Sequence, residues 1–281
     1  MRRNKLAWIF LAGVLCLLLS VIVNMRRENK TSVIIGGLDG AFVESDGLTF
    51  IDPNAAAETP EPTIDIWPQL TLEDFDNPQY MIVNADNFLS AAYVPAESAK
   101  ISGTNQLFDA RALPYLEQML QDCRDAGFTI YVTAAFRSYS YQNNLFNSKA
   151  SQIAYSRGIT DPEAYADPNS GYAEAAEEAK KIVMEPGTSE HQLGLAVDLM
   201  DKNYSRLVYE NMDQEMFAWL DAHCAEYGFI KRYPTRKLLL TGWDEPWHYR
   251  YVGVEAATFI MEHGICYEEF YAHYHPGFKY G

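Results

Sequence analysis

Apolar residues recur at helical spacing between residues 110 and 126, where Leu113, Leu116, Leu120 and Cys123 fall on one stripe. Asp109 is placed to cap this helix, Pro114 moves its regular start toward Leu113, and Gly127 ends it. The same spacing predicts a helix over 141–157, capped by Ser140 with Leu145 and Phe146 inward, and an Ala- and Glu-rich helix over 172–184. Further helices are predicted over 213–227, with Phe217, Leu220 and Cys224 on a stripe and Gly228 as its stop, over 255–263 and over 267–274. Strand patterns occupy 81–84, 129–135, 195–200, 229–233, 237–241 and 249–252, with a turn at 243–248. Helices and strands do not alternate strictly, so the expected class is α+β, a mainly antiparallel sheet flanked by helices.

The N-terminal region follows a different pattern. Arg2, Arg3 and Lys5 precede residues 6–23, which are apolar apart from Ser20. About 18 such residues span a bilayer as a helix. The run closes on Val21-Ile-Val-Asn24 with no small-x-small cleavage site. Leu15 precedes Cys16, where a lipoprotein cysteine wants a small residue. A retained signal anchor over 6–24 is therefore expected, behind a cytoplasmic stub at 1–5. Arg26, Arg27 and Lys30 on the far side leave the positive-inside rule tied. Residues 25–76 read as a tether, with Pro53, Pro60, Pro62 and Pro68 among scattered acids. Brief pairing of 33–35 with 48–51 is the one ordered feature expected there. The globular domain is assigned to 77–281.

Composition narrows the function classes. A net charge of −16, with 22 Lys+Arg against 38 Asp+Glu, argues against nucleic acid as a partner. Of four cysteines, Cys16 lies in the apolar run, and no Cys-x-x-Cys pair offers a thiolate metal site. Cys123, Cys224 and Cys266 leave two alternatives open, one disulfide or buried free thiols. No Gly-x-Ser-x-Gly, phosphate loop or dinucleotide glycine pattern occurs, which removes serine-nucleophile and nucleotide enzymes.

The chemistry-bearing residues sit in two distant stretches. In Leu195-Ala-Val-Asp-Leu-Met200 strand alternation puts Ala196, Asp198 and Met200 on one face. A carboxylate inside such an apolar run costs several kcal/mol unless something positive meets it. A metal ion would meet that need, with His191 as a candidate to share it. Glu245-Pro-Trp-His248 adds a second imidazole three residues after a carboxylate. Two histidines, one aspartate and a spare glutamate make three ligands, an open position and a base, the outfit of a catalytic Zn²⁺ site. His223 and His263 read as helix residues, and His273 and His275 as part of a solvated tail.

Ser189-Glu-His-Gln-Leu-Gly-Leu-Ala-Val-Asp198 followed by Glu245-Pro-Trp-His-Tyr-Arg-Tyr-Val-Gly253 resembles the VanY-type zinc D-alanyl-D-alanine carboxypeptidases. Phe136-Arg-Ser-Tyr-Ser-Tyr-Gln142, Tyr227-Gly-Phe-Ile-Lys-Arg-Tyr-Pro234, and Met81-Ile-Val-Asn84 running on to Tyr93-Val-Pro95 match family segments too. The resemblance covers roughly residues 78–275. It implies a Hedgehog/D-Ala-D-Ala carboxypeptidase-like fold, His191, Asp198 and His248 as zinc ligands, and Glu245 as catalytic base. It implies that Arg137 holds the carbonyl oxygen as charge develops, or the substrate carboxylate; a structural salt bridge is the competing role. Gln142 and Ser189 resemble substrate-contacting positions, with helix and turn capping as rivals. Tyr233 is a candidate pocket-lining residue or part of a Tyr-Pro turn, and Trp247 a packing wall. The implied activity is removal of C-terminal D-alanine from peptidoglycan stem peptides by a membrane-anchored monomer with its domain outside the cell membrane. L,D-carboxypeptidase action on tetrapeptides, endopeptidase action on cross-bridges, and a non-catalytic zinc module are the alternatives.

Overall fold

The structure is a computed structural model that describes residues 67–161, 167, 170–202, 204 and 206–280, together with strands at 42–44 and 47–49. The chain divides into two compact units, 1–65 and 66–281. In the first, β1 (Phe42–Glu44) pairs antiparallel with β2 (Gly47–Thr49). Of the strand expected at 48–51, residues 48 and 49 fall in β2, which pairs with 42–44, and 50–51 lie outside the described residues. Residues 33–35 and the apolar run 6–24 lie outside the described residues. Among the described residues no helix is long and apolar enough to cross a membrane.

The second unit opens with a hairpin, β3 (Ser98–Lys100) and β4 (Leu107–Asp109), followed by α1 (Leu113–Asp125). The main sheet comprises β5 (Tyr131–Ala134), β6 (Ala196–Met200), β7 (Phe229–Tyr233) and β8 (Glu245–Tyr251), all antiparallel in the order β5-β6-β8-β7. Between β5 and β6 run α2 (Tyr139–Ser156) and α3 (Tyr172–Ala179), which pack on each other. After β6 come α4 (Gln214–His223), the single turn α5 (Leu238–Thr241), and the closing pair α6 (Val254–His263) and α7 (Tyr267–Tyr274).

β6 is covered on both faces, and all five of its residues are buried. Val197 and Leu199 join a core built from the stripes of α1 (Leu116, Leu120, Cys123) and α4 (Met216, Phe217, Leu220). A second core on the far side holds Ile230 of β7 with Ala257 and Ile260 of α6 and Phe270 of α7. The α+β class and the antiparallel sheet are therefore as expected, with helices packed on the sheet.

Local departures from expectation have identifiable causes. Residues 81–84 form no strand: the carbonyls of Pro78, Gln79 and Met81 accept from Arg250 Nη2 at 2.8, 3.2 and 3.2 Å, so a guanidinium stands where a ladder partner would. Residues 237–241 are not a strand either. Three successive leucines carry no alternation, and they form α5 with Leu239 93% exposed. The turn at 243–248 and the strand at 249–252 are one strand, β8. α2 starts at Tyr139 because Ser138, not Ser140, accepts from Tyr141 N. α3 ends at Ala179, earlier than the expected 184. Asp109 does not cap α1; its carboxylate is occupied by the backbone and guanidinium of Arg111.

The folded unit also begins before residue 77. Trp67 packs on Phe259, ring centroids 4.4 Å apart, and stacks on His273 at 3.8 Å. Phe75 is 6% exposed and meets the edge of His275. The folded unit therefore takes in 67–76, and His273 and His275 are packed rather than part of a solvated tail. Prolines mask this transition, because composition reports the average of a segment and misses two aromatic anchors at its end. The cysteines resolve to the free-thiol alternative: Cys123, Cys224 and Cys266 are unpaired and buried.

Burying Phe75 stabilises the unit by roughly 1.5–3 kcal/mol, and half-burying Trp67 contributes a comparable share. A chain trimmed to 77–281 should accordingly unfold about 10 °C below one trimmed to 66–281, given roughly 2–4 °C per kcal/mol at this size. Coincident melting curves, read by circular dichroism, would contradict the earlier boundary.

Candidate metal centre

The register of the sheet brings the two sequence stretches together. Ala134 of β5 lies opposite Asp198 of β6, which lies opposite His248 of β8. Asp198 and His248 are thus cross-strand neighbours despite lying 50 residues apart, and His248 Nδ1 is 3.1 Å from Asp198 Oδ1. His191 comes from the short helical turn Glu190–Leu193 just before β6. Two bonds dock that turn against the end of β5: His191 Nδ1 on the Ala135 carbonyl at 2.7 Å, and Arg137 N on the His191 carbonyl at 3.1 Å. Gly194 lets the chain reverse from the turn into β6 at φ +74°, and a Cβ there would meet Pro95 Cγ at 2.7 Å. Only glycine suits both requirements.

His191, Asp198 and His248 each offer one ligand atom, and these atoms lie within 4.8 Å of one another. His191 Nε2 is buried without a hydrogen-bond partner, 3.3 Å from Asp198 Oδ1. Since its Nδ1 is bonded to a carbonyl, that Nε2 carries a lone pair. A buried acceptor facing a carboxylate needs a cation between them. Two imidazoles and a carboxylate suit Zn²⁺ by ligand type, so the residues present fit the metal.

Glu245 faces the same centre, its Oε2 3.7 Å from His248 Nδ1. On a regular strand, residues three apart point to opposite faces. The pairing of β7 with β8 shifts register between Lys231 and Tyr233, where Tyr233 opposes Glu245, and this irregularity turns Glu245 onto the face of His248.

Burial dominates the electrostatics. Burial and the nearby Arg137 lower the His191 pKa to about 4, keeping it neutral. Burial opposes charge on His248 as well, but hydrogen bonds to Asp198 and Glu190 raise it to about 9. Burial works to raise Asp198, yet the hydrogen bond and charge of His248 hold it well below the usual carboxylate range. Burial, helped by the nearby Asp198, outweighs the charges of His248 and Arg137 and pushes Glu245 up to about 7, where a carboxyl can take and return a proton near neutrality.

The other expected residues divide. Arg137 reaches the centre, with Nη2 3.4 Å from Asp198 Oδ2. Its Nη1 donates to Gln142 Oε1 at 3.0 Å, and its Nε is buried without a partner. Gln142 is 2% exposed and its amide nitrogen donates to the Met184 carbonyl at 2.7 Å, so in this structure it aims Arg137 rather than facing open space. Ser189 is buried at the entry to the His191 turn. Tyr233 packs its ring 5.0 Å from that of His248 and lines a cavity of about 340 Å³ with Met184, Thr188 and Trp243. Trp247 packs against the main core, as expected of a wall.

The sequence reading missed the group behind His248. Glu190 Oε2 lies 3.4 Å from His248 Nε2, and its Oε1 accepts from Arg232 Nε at 2.8 Å. Arg250 Nη1 lies 2.9 Å from the same oxygen, and Arg232 is gripped by Glu268. The available signal was an arginine inside each of two strands, Phe229–Tyr233 and Glu245–Tyr251, where a lone cation demands a buried partner.

Known proteins share this arrangement of elements. A family model described as VanY, D-alanyl-D-alanine carboxypeptidase, matches residues 105–254. A D-alanyl-D-alanine carboxypeptidase of Enterococcus faecalis is 36% identical over 191 residues, which are 68% of this chain and 64% of that protein's length. Among solved structures, a mutant of the vancomycin-resistance D,D-pentapeptidase VanY from a VanB-type cassette, in complex with Zn(II), matches with a TM-score of 0.56 at 35% identity, over 69% of this chain and 98% of that one. The LD-carboxypeptidase LdcB matches with a TM-score of 0.56 at 26% identity, over 69% of this chain and 87% of that one. By the extent of the family match and by these relatives, the chain belongs to the VanY family of D-alanyl-D-alanine carboxypeptidases.

Proposed function

We propose that this protein is a zinc carboxypeptidase that removes the C-terminal D-alanine from peptidoglycan stem peptides. The observation that carries the reading is the convergence of His191, Asp198 and His248 on one point with Glu245 beside it. Zinc held by those three would polarise the scissile carbonyl and lower the pKa of a water toward ~7. Glu245 takes a proton from the water whose oxygen bonds to the carbonyl carbon. It returns that proton to the amide nitrogen as the C–N bond breaks, so D-alanine leaves as the free amine. Arg137, aimed by Gln142, offers its guanidinium to the oxygen that gains charge or to the terminal carboxylate; its unpartnered Nε is consistent with a vacant donor for either.

The 6–24 run acts as a single-pass anchor with the N-terminus inside, and the domain works outside, where mature peptidoglycan lies. The protein acts as a monomer, since one chain supplies every ligand and the base. A second reading, hydrolysis of the L,D bond of a tetrapeptide, draws support from the likeness to LdcB. Purified chain incubated with a pentapeptide and a tetrapeptide separates the two by which one yields free D-alanine.

Glu245→Ala should keep its zinc and lose about 10²–10⁴-fold in kcat; undiminished D-alanine release would overturn the mechanism. Arg137→Lys, which removes the guanidinium fork but keeps the charge, should lose about 100-fold in kcat/KM. Chelation should stop release and added Zn(II) restore it, and release that persists without metal would contradict a zinc enzyme.

A further inference from the structure

Glu190 and His191 are adjacent in sequence yet serve opposite sides of the centre. His191 presents Nε2 inward, while Glu190 reaches behind His248 to the nitrogen turned away from Asp198 and Glu245. Glu190 is fully buried, and so, within 2% exposure, are Arg232, Arg250 and Glu268. Its Oε1 takes Arg232 Nε at 2.8 Å and sits 2.9 Å from Arg250 Nη1, leaving Oε2 for His248 at 3.4 Å. Glu268 grips Arg232 from behind, Oε2 taking Nη1 at 2.9 Å and Oε1 taking Nη2 at 2.6 Å. Two carboxylates and two guanidiniums balance, so the group carries no net charge of its own into the interior.

A carboxylate paired with two guanidiniums offers acceptors only. When a cation takes the Asp198 side of the ring, the one hydrogen left on neutral His248 sits on Nε2 toward Glu190, and the Nδ1 lone pair faces the side of Asp198 and His191. The ring is thus fixed in tautomer as well as in orientation, as a partner behind a ligating histidine does in metal sites generally.

We propose that Glu190 is a positioning residue of the metal centre: it accepts the Nε2 hydrogen of His248 and so makes Nδ1 the metal donor, with Arg232, Arg250 and Glu268 as its rigid mount. Glu190 touches no substrate. The inference rests on the zinc reading above.

Long-range ¹H–¹⁵N spectra of the zinc-loaded full chain should show His248 protonated at Nε2 and His191 protonated at Nδ1. A His248 protonated at Nδ1 overturns the proposal, and this arm needs no variant to fold. In competition with a chelator, E190Q should bind zinc about 10–100-fold more weakly than the wild type. E268Q loosens the mount but leaves Glu190 facing His248, so its loss should be smaller than that of E190Q. Unchanged zinc affinity in E190Q, or an equal loss in E268Q, overturns the positioning role. Wild-type protein that binds no zinc overturns the proposed function along with it, whereas bound zinc with the other tautomer overturns this inference alone.

Discussion

Asp198 occupies the middle of a strand with no exposed residue, and an ionised carboxylate there costs several kcal/mol unless its lone pairs are met. Around it the chain has arranged Arg137 at 3.4 Å, His248 at 3.1 Å and His191 at 3.3 Å. Each of these is in turn held from its other side, Arg137 by Gln142, His191 by the Ala135 carbonyl and His248 by Glu190. The result is a set of side chains with little rotational freedom. Preorganisation of this kind is what a ligand set needs to favour one coordination geometry.

The sheet supplies the precision. Asp198 and His248 face each other because β6 and β8 are paired in one register, and a slip of one residue would send every side chain to the wrong face. Glu245 breaks that rule, and the irregular pairing with β7 is the reason it does so usefully. A base on the same regular strand as its ligand neighbour would sit two residues away, not three.

What was legible in the sequence follows from this division. Ligand identity is chemical, so His191, Asp198, Glu245 and His248 stood out as the rare polar groups in apolar or motif-like surroundings. The helices with clear stripes, α1 and α4, were legible for the same reason. β8 was not, because Pro246 beside Trp247 resembles a turn until the neighbouring strands are in place. Nor was the mount of Glu190, whose bonds to Arg232 and His248 span 42 and 58 residues. Such pairings have no local trace. Resemblance gives Gln142 a substrate contact; its bonds to Arg137 and the Met184 carbonyl, which leave no local trace in the sequence, add a bracing role.

The order of strands has a consequence for how the protein is made. β8 is the last strand in the chain but lies inside the sheet, between β6 and β7. During folding both of those strands keep a vacant edge until β8 inserts, and domains complete only when such long-range pairs close. The same insertion delivers His248 to Asp198. The ligand set is therefore complete only when β8 has paired, and a sheet lacking β8 carries Asp198 and His191 without their third partner.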